Sequence, residues 1–369
     1  MKSLTRVMCA AAAILIVGGL AIFTAAFRAM DFDFSKLNLG EEKTEEFLVT
    51  EPFIDLCIDT GLAAIRLAPS GDGTCRVVSR IGAARGETAA HTVEVKNGTL
   101  SIVGRRTWSF VPFFAFSEWK DPALTVYLPE TEYRALQIHA GANDVHVGNE
   151  FTFRGADIAA ASGGVFYEAQ TLDLVRIETG SGEIWVNCTA QSIEARTDSA
   201  GIGLRGSAQK AAAFSGSGEI HLYGLNAEEI TASCTSGGIR LHTVCASQEI
   251  RLETTSGDVD GYDVRGGVLT VRATSGDITL EHGTLDGALA VTVTSGDVSV
   301  NDWDAAGGRI HATSGSVDAA FRTEKVFDVD SGSGRMSYPD LPSGGPVEVR
   351  TTSGDVHLYI GYLPDTFQR

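Results

Sequence analysis

Three things are scarce in this chain: proline, basic residues and cysteines at any useful spacing. Pro occurs 9 times against 42 Gly. Gly at that level without a three-residue period excludes a collagen-like chain and points to many tight turns. Lys and Arg number 29 against 47 Asp and Glu, for a formal net charge of −18. Of the basic residues, Lys2, Arg6 and Arg28 lie in the first 30 residues, which hold no acid, so the remainder is more acidic still. Such a surface repels phosphate, which excludes nucleic acid as a partner and flat docking on anionic lipid. Outside the N-terminal run, Cys57, Cys75, Cys188, Cys234 and Cys245 form an odd set with no CxxC pair, and no zinc site is legible. Cys57 and Cys75 flank the turn-rich stretch 69–73; a disulfide and two free thiols both remain open. No 3.6-residue apolar period runs through the body of the chain, which disfavours helix there.

What is present begins at the N-terminus. Residues 7–27 are an uncharged run of apolar and small residues, long enough to cross a bilayer. Lys2 and Arg6 precede it, so residues 1–30 read as a single-pass anchor of a bacterial cell membrane, with the N-terminus cytoplasmic and the rest outside. A cleaved signal peptide is the rival; the length of the run favours the anchor. Residues 31–50, with Glu41, Glu42, Glu45 and Glu46, read as an acidic linker.

The dominant feature is a repeat. A Ser-Gly turn recurs at Ser162, Ser181, Ser199, Ser217, Ser236, Ser256, Ser275, Ser295, Ser314, Ser333 and Ser353, with Ala142 in the Ser place of an earlier copy. The spacing stays between 18 and 20 residues. Three residues after the Ser place comes an apolar residue, as at Ile239, Val259, Ile278, Val298 and Val356, and most copies are apolar again two residues later. That alternation marks a strand with one buried face. A second alternating strand, such as 269–273 or 289–293, precedes each turn. Gly follows the Ser place in ten of twelve copies, which predicts positive φ there. One such unit buries too little alone, but stacked units share a continuous core. The expected fold is therefore all-β: a β-solenoid of about twelve coils of roughly 19 residues over 136–360, followed by a short tail at 361–369. A sandwich of hairpins is the fallback.

Residues 51–135 are less regular. Phe53–Gly61 followed by Ile65–Leu67 looks like a degenerate first copy. Residues 91–102 read as two strands around an Asn97-Gly98 hairpin turn, and 124–129 as a strand ended by Pro. This region is expected to cap the stack.

These residues carry a resemblance. The degenerate opening copy, Val-Tyr-Leu-Pro at 126–129 and Thr-Ser-Gly-Asp-[Val/Ile] at 255–259, 274–278, 294–298 and 352–356 resemble the DUF4097 family of bacterial β-strand-repeat proteins, which is labelled as adhesins. The resemblance covers roughly residues 50–360. It implies a right-handed β-helix-like fold exposed at the bacterial envelope. The aromatic insertion at 107–119 and the turns at Ser199-Ala200 and Ser333-Gly334-Arg335 depart from the plain pattern.

Candidate chemistry is sparse. The residue after the turn Gly is acidic in seven copies, and the column formed by Asp258, Asp277, Asp297 and Asp355 offers oxygen ligands of the kind Ca²⁺ takes. Interruptions at Gly201, Gly238 and Ser316 favour a plain turn role, and no cofactor is expected. His146, His221 and His357 share one outward column but sit several coils apart, too far to meet on one metal. The segment bearing Trp108, Phe110, Phe113, Phe114, Phe116 and Trp119 reads as an apolar loop that either caps the solenoid or contacts a partner. The expected function is a non-catalytic, envelope-exposed solenoid for adhesion-like binding, scaffolding or sensing, with envelope proteins or cell-wall glycans as partners. A carbohydrate-active β-helix enzyme, lyase or hydrolase, is the alternative.

Overall fold

The computed structural model describes residues 18–24, 28, 40–61, 63–84, 91–104 and 123–361. Over these residues the chain is an all-β solenoid; the twelve corners legible in the sequence bound about 11 turns. Each coil runs up one wall, turns at the Ser-Gly corner and leaves along a second wall. Stretches leading into the corner form the first wall, where 249–254 lies on 268–273 and that on 289–293. Stretches leaving the corner form the second, where Ile239, Val259, Ile278, Val298 and Val317 are successive register partners. All these pairings are parallel, because each coil repeats the direction of the last. The apolar columns of both walls point inward and close into one core; Ile239, Val259, Ile278 and Val317 are fully buried.

The corner glycines answer to stacking more than to positive φ. A Cβ added at Gly163, Gly182, Gly218, Gly237, Gly257, Gly276, Gly296, Gly315, Gly334 or Gly354 would sit 1.7–2.3 Å from a carbonyl oxygen of the neighbouring coil. Only Gly276, Gly296, Gly315 and Gly354 of these have positive φ. The expectation of positive φ at every corner is corrected accordingly: coils a strand spacing apart leave no room there for a side chain. In the earlier coils a buried hydroxyl supports the same corner. Thr179, Thr197 and Ser215 each accept a hydrogen bond from the N–H three residues on and donate to a carbonyl of the preceding coil.

Coil order departs from chain order at both ends. Asp55–Thr60 pairs with both Thr99–Gly104 and Glu132–Ala140, and Ala64–Pro69 lies between Ala123–Leu128 and Val145–Val147. The first coil is thus second in the stack. Arg134 clasps Asp55 through two hydrogen bonds across this junction. At the other end, Gly345–Ser353 enters between 308–314 and Lys325–Ser331, and Val356–Ile360 between Val317–Phe321 and Met336–Ser337. Ion pairs follow the inserted order: Arg309 reaches Glu348, and Arg350 reaches Asp328. The outermost coil is open, so Met336, in a column buried elsewhere, is 48% exposed.

The N-terminal region departs from two expectations. Gly40–Val49, within the stretch read as linker, is a strand antiparallel to Cys75–Ala84, which in turn pairs with Ala123–Leu128. His91–Lys96 and Thr99–Gly104 form the expected hairpin; Asn97 and Gly98 both have positive φ, as its two-residue turn requires. Cys57 and Cys75 are free thiols. Burial pushes the Cys75 and Cys188 thiols up to about 12, which keeps both protonated and inert. Of the apolar N-terminal run, 18–24 is helical and most of the remainder lies outside the described residues. Among the described residues no helix is long and apolar enough to cross a membrane, so the expected transmembrane helix is not part of the described fold.

Candidate functional site

The two walls present different outer surfaces. Outward residues of the first wall are tied in ion pairs between neighbouring coils: Arg176 with Glu194, Lys210 with Glu229, Arg309 with Glu348. The second wall carries aromatic rings. His146 and Phe166 stack at 4.7 Å with planes 6° apart. Trp185 follows in register with Phe166, and its indole lies over Gly203, where a Cβ would meet the ring at 2.1 Å. One outward position along, the Arg205 guanidinium stands 5.5 Å from the Tyr223 ring centroid. Tyr223, His242, Tyr262 and His282 then form a continuous ladder, with centroids 5.2, 5.2 and 5.1 Å apart. The rings are not core: Tyr223 is 48% and Tyr262 44% exposed.

A bend in the backbone sets this ridge. Gly224, Thr243, Asp263, His282 and Asp302 have positive φ in five consecutive coils, at the end of the second wall. Four of them are not glycine, and a β-branched residue such as Thr243 is costly in that region. Their side chains orient the ladder. Thr243 Oγ1 and His242 Nδ1 share a hydrogen bond of 3.2 Å. His282 Nδ1 donates to Asp302 Oδ2 at 2.6 Å, and Asp302 is buried. Arg322 stands near the same carboxylate and donates to the Gly283 carbonyl at 2.6 Å. The Nε2 atoms of His242 and His282 and the hydroxyls of Tyr223 and Tyr262 are left without a protein partner among the described residues. No Ser, Thr or Cys hydrogen-bonds the His282 ring among the described residues, so this His–Asp pair lacks a nucleophile at hand.

The acidic column has a structural use. Asp258 Oδ1 accepts from the Asp277 N–H, Asp277 Oδ1 from Asp297, Asp297 Oδ1 from Ser316, and Asp355 Oδ1 from Arg335, all at 2.7–2.8 Å. Each carboxylate thereby spends one oxygen on the next coil's backbone. Among the described residues no group of three or more His, Cys, Asp or Glu gathers as a metal-ligand set. The three outward histidines stand apart with separate partners: His146 on Phe166, His221 on Glu219, His357 on Asp318. Burial, and secondarily Arg66, holds the His146 imidazole below its ordinary value. Trp108, Phe110, Phe113, Phe114, Phe116 and Trp119 lie outside the described residues. The Tyr223–His282 ladder escaped the sequence reading although its 19–20-residue spacing was visible there.

Fold and surface together define a repeat-built parallel β-solenoid whose two walls both carry ion pairs between coils and whose second wall also carries the aromatic rings. The chain matches the Toastrack DUF4097 family over residues 55–226 and 223–365, and belongs to it. No curated protein matches the chain. Among solved structures, a candidate adhesin of Parabacteroides distasonis is 13% identical, with 87% of this chain and 97% of that chain covered and a TM-score of 0.36. A candidate lipid-binding protein of the same species is 11% identical (86% and 98% covered, TM-score 0.30). A candidate adhesin of Bacteroides fragilis is 14% identical (86% and 97% covered, TM-score 0.26). Likeness this loose carries no inference about ligand or partner.

Proposed function

We propose that this chain is a non-catalytic, envelope-exposed β-solenoid that acts as an adhesin-like binding or scaffolding protein, with its second wall as the binding face. The exposed ladder Tyr223–His242–Tyr262–His282 carries this reading. Aromatic rings held half in water at regular spacing are what contact surfaces use: large apolar area with a polar edge and little rotamer freedom to lose. The ion-paired first wall offers no comparable apolar area. The partners are envelope proteins or cell-wall glycans; the net charge of −18 disfavours nucleic acid. Lys2 and Arg6 ahead of the apolar run 7–27 support attachment to the cell membrane with the solenoid outside.

The test is capture of envelope proteins and cell-wall material by the purified protein and by the Tyr223→Ala/Tyr262→Ala variant. Loss of capture in a variant that still melts cooperatively supports the second wall as the binding face. Equal capture by both proteins overturns it. Release of sugar fragments during the same incubation would overturn the non-catalytic reading.

A further inference from the structure

We infer that the aromatic ridge of the second wall takes a linear, uncharged β-1,4-linked polysaccharide laid along the solenoid axis. The inference rests on the reading of the second wall as the binding face, and it names the ligand class. Tyr223, His242 and Tyr262 are stacked and turn polar edges to solvent, and His282 meets Tyr262 edge-on. Along the ladder they present a Tyr hydroxyl, a His Nε2, a Tyr hydroxyl and a His Nε2, none with a protein partner among the described residues. A hydroxyl both donates and accepts, and a neutral imidazole Nε2 does one or the other by tautomer. The natural complement is a ligand whose own groups are hydroxyls.

The spacing restricts the ligand further. Successive rungs rise by about 4.8 Å, the distance between paired strands, so the in-register Tyr223 and Tyr262 hydroxyls recur two rungs apart, about 10 Å. An extended β-1,4-linked chain advances by nearly the strand spacing per sugar and repeats every second sugar, because neighbouring sugars are flipped. An extended peptide does not share that rise. From His146 to His282 the aromatic surface passes over eight coils, roughly 35 Å, which suits a polymer rather than a single sugar. At the shift between its two halves, Trp185 lies over Gly203 and offers indole surface for the C–H groups of a sugar ring.

Charge restricts it again. Asp258, Asp277 and Asp297 line the corner beside the ladder; Glu219 and Asp260, nearer still, are both paired with Arg240, so the repelling charge is that of the corner carboxylates. A polyanionic glycan meets repulsion there, whereas a neutral one does not. The strained backbone is the independent support. Positive φ at Thr243 and Asp302 places the side chains that fix the Nδ1 atoms of His242 and His282, so each Nε2 is the nitrogen left for a ligand.

Titration calorimetry of the full chain tests this with cellohexaose and chitohexaose as probes and cellobiose and maltohexaose as comparators. The expected result is binding of a β-1,4 hexamer roughly tenfold or more tighter than of cellobiose, no binding of the α-linked maltohexaose, and little dependence on salt. Tyr223→Phe/Tyr262→Phe, which keeps the ring stack, should weaken the hexamer roughly fivefold or more through the lost hydroxyls. If no β-1,4 hexamer binds while the Tyr→Ala pair still loses capture of envelope material, the polysaccharide is wrong and the binding face stands. If no hexamer binds and capture is unchanged, both readings fail. Equal hexamer binding by wild type and both variant pairs overturns the ridge as the site.

Discussion

At Gly296 two constraints meet. Its φ is +145°, and an added Cβ would lie 2.1 Å from the Gly276 carbonyl oxygen. Because that oxygen belongs to the backbone of a coil locked on both sides, it has nowhere to yield. Gly296→Ala should therefore cost about 2–3 kcal/mol in chemical denaturation, whereas Gly71→Ala, with nothing within 4 Å, should be near neutral. Thr243 poses the opposite case. It holds a conformation that glycine adopts freely, so Thr243→Gly should raise the unfolding free energy by about 0.5–1 kcal/mol. A loss of stability there would mean that the Thr243–His242 bond outweighs the strain. If the gain is found, the strained residue is retained for what it does to the ladder rather than for the fold.

Among the elements, the hairpin His91–Gly104 shows what local sequence can specify. Asn97-Gly98 dictates its turn, and the alternation on either side dictates its strands. Gly40–Val49 shows what overrode composition: a run rich in Glu reads as solvated linker, yet it pairs along its length with Cys75–Ala84. The half-buried side chains of Lys43, Glu45, Phe47 and Val49 alternate with exposed ones, a strand period that the charge obscured. Within this cap, His91 is buried between Thr60 and Ser79, with Glu45 nearby. Burial lowers its pKa below the ordinary value, and Glu45 opposes the shift only in part. The unfolded chain thus takes up this proton first. Stability from His91 is complete above its ordinary value of about 6.5 and is lost as pH falls from there toward the depressed folded value, at up to about 1.4 kcal/mol per pH unit. The melting temperature should fall between pH 7 and pH 5, and the fall should be shallower in His91→Gln. An identical slope in the variant would show that His91 does not contribute.

For the molecule as a whole, the solenoid was legible because its period, corner glycine and apolar columns all recur in the sequence. The order of its coils was not. Coil 345–360 carries the same Thr-Ser-Gly-Asp-Val corner as the central coils, so nothing in its pattern says that it enters between two earlier ones. The first coil is inserted in the same way. Solenoids fray from uncovered ends, and here the uncovered ends are not the first and last coils of the chain. Hydrogen exchange should find amides of 55–60 and 345–353 protected like those of the central coils, and 325–331 exchanging faster. Fast exchange at 345–353 would contradict the inserted order. The aromatic wall was half legible: Tyr223, His242 and Tyr262 hold one repeat position, but only the fold shows that consecutive rings touch and that His282, one residue past Tyr262's register partner Glu281, joins them. Side-chain footprinting of the protein bound to isolated envelope material tests that wall as the binding surface most directly. Protection concentrated at Trp185, Tyr223 and Tyr262 is the predicted result; protection confined to the first wall, around Arg176, Arg251 and Arg309, would contradict it.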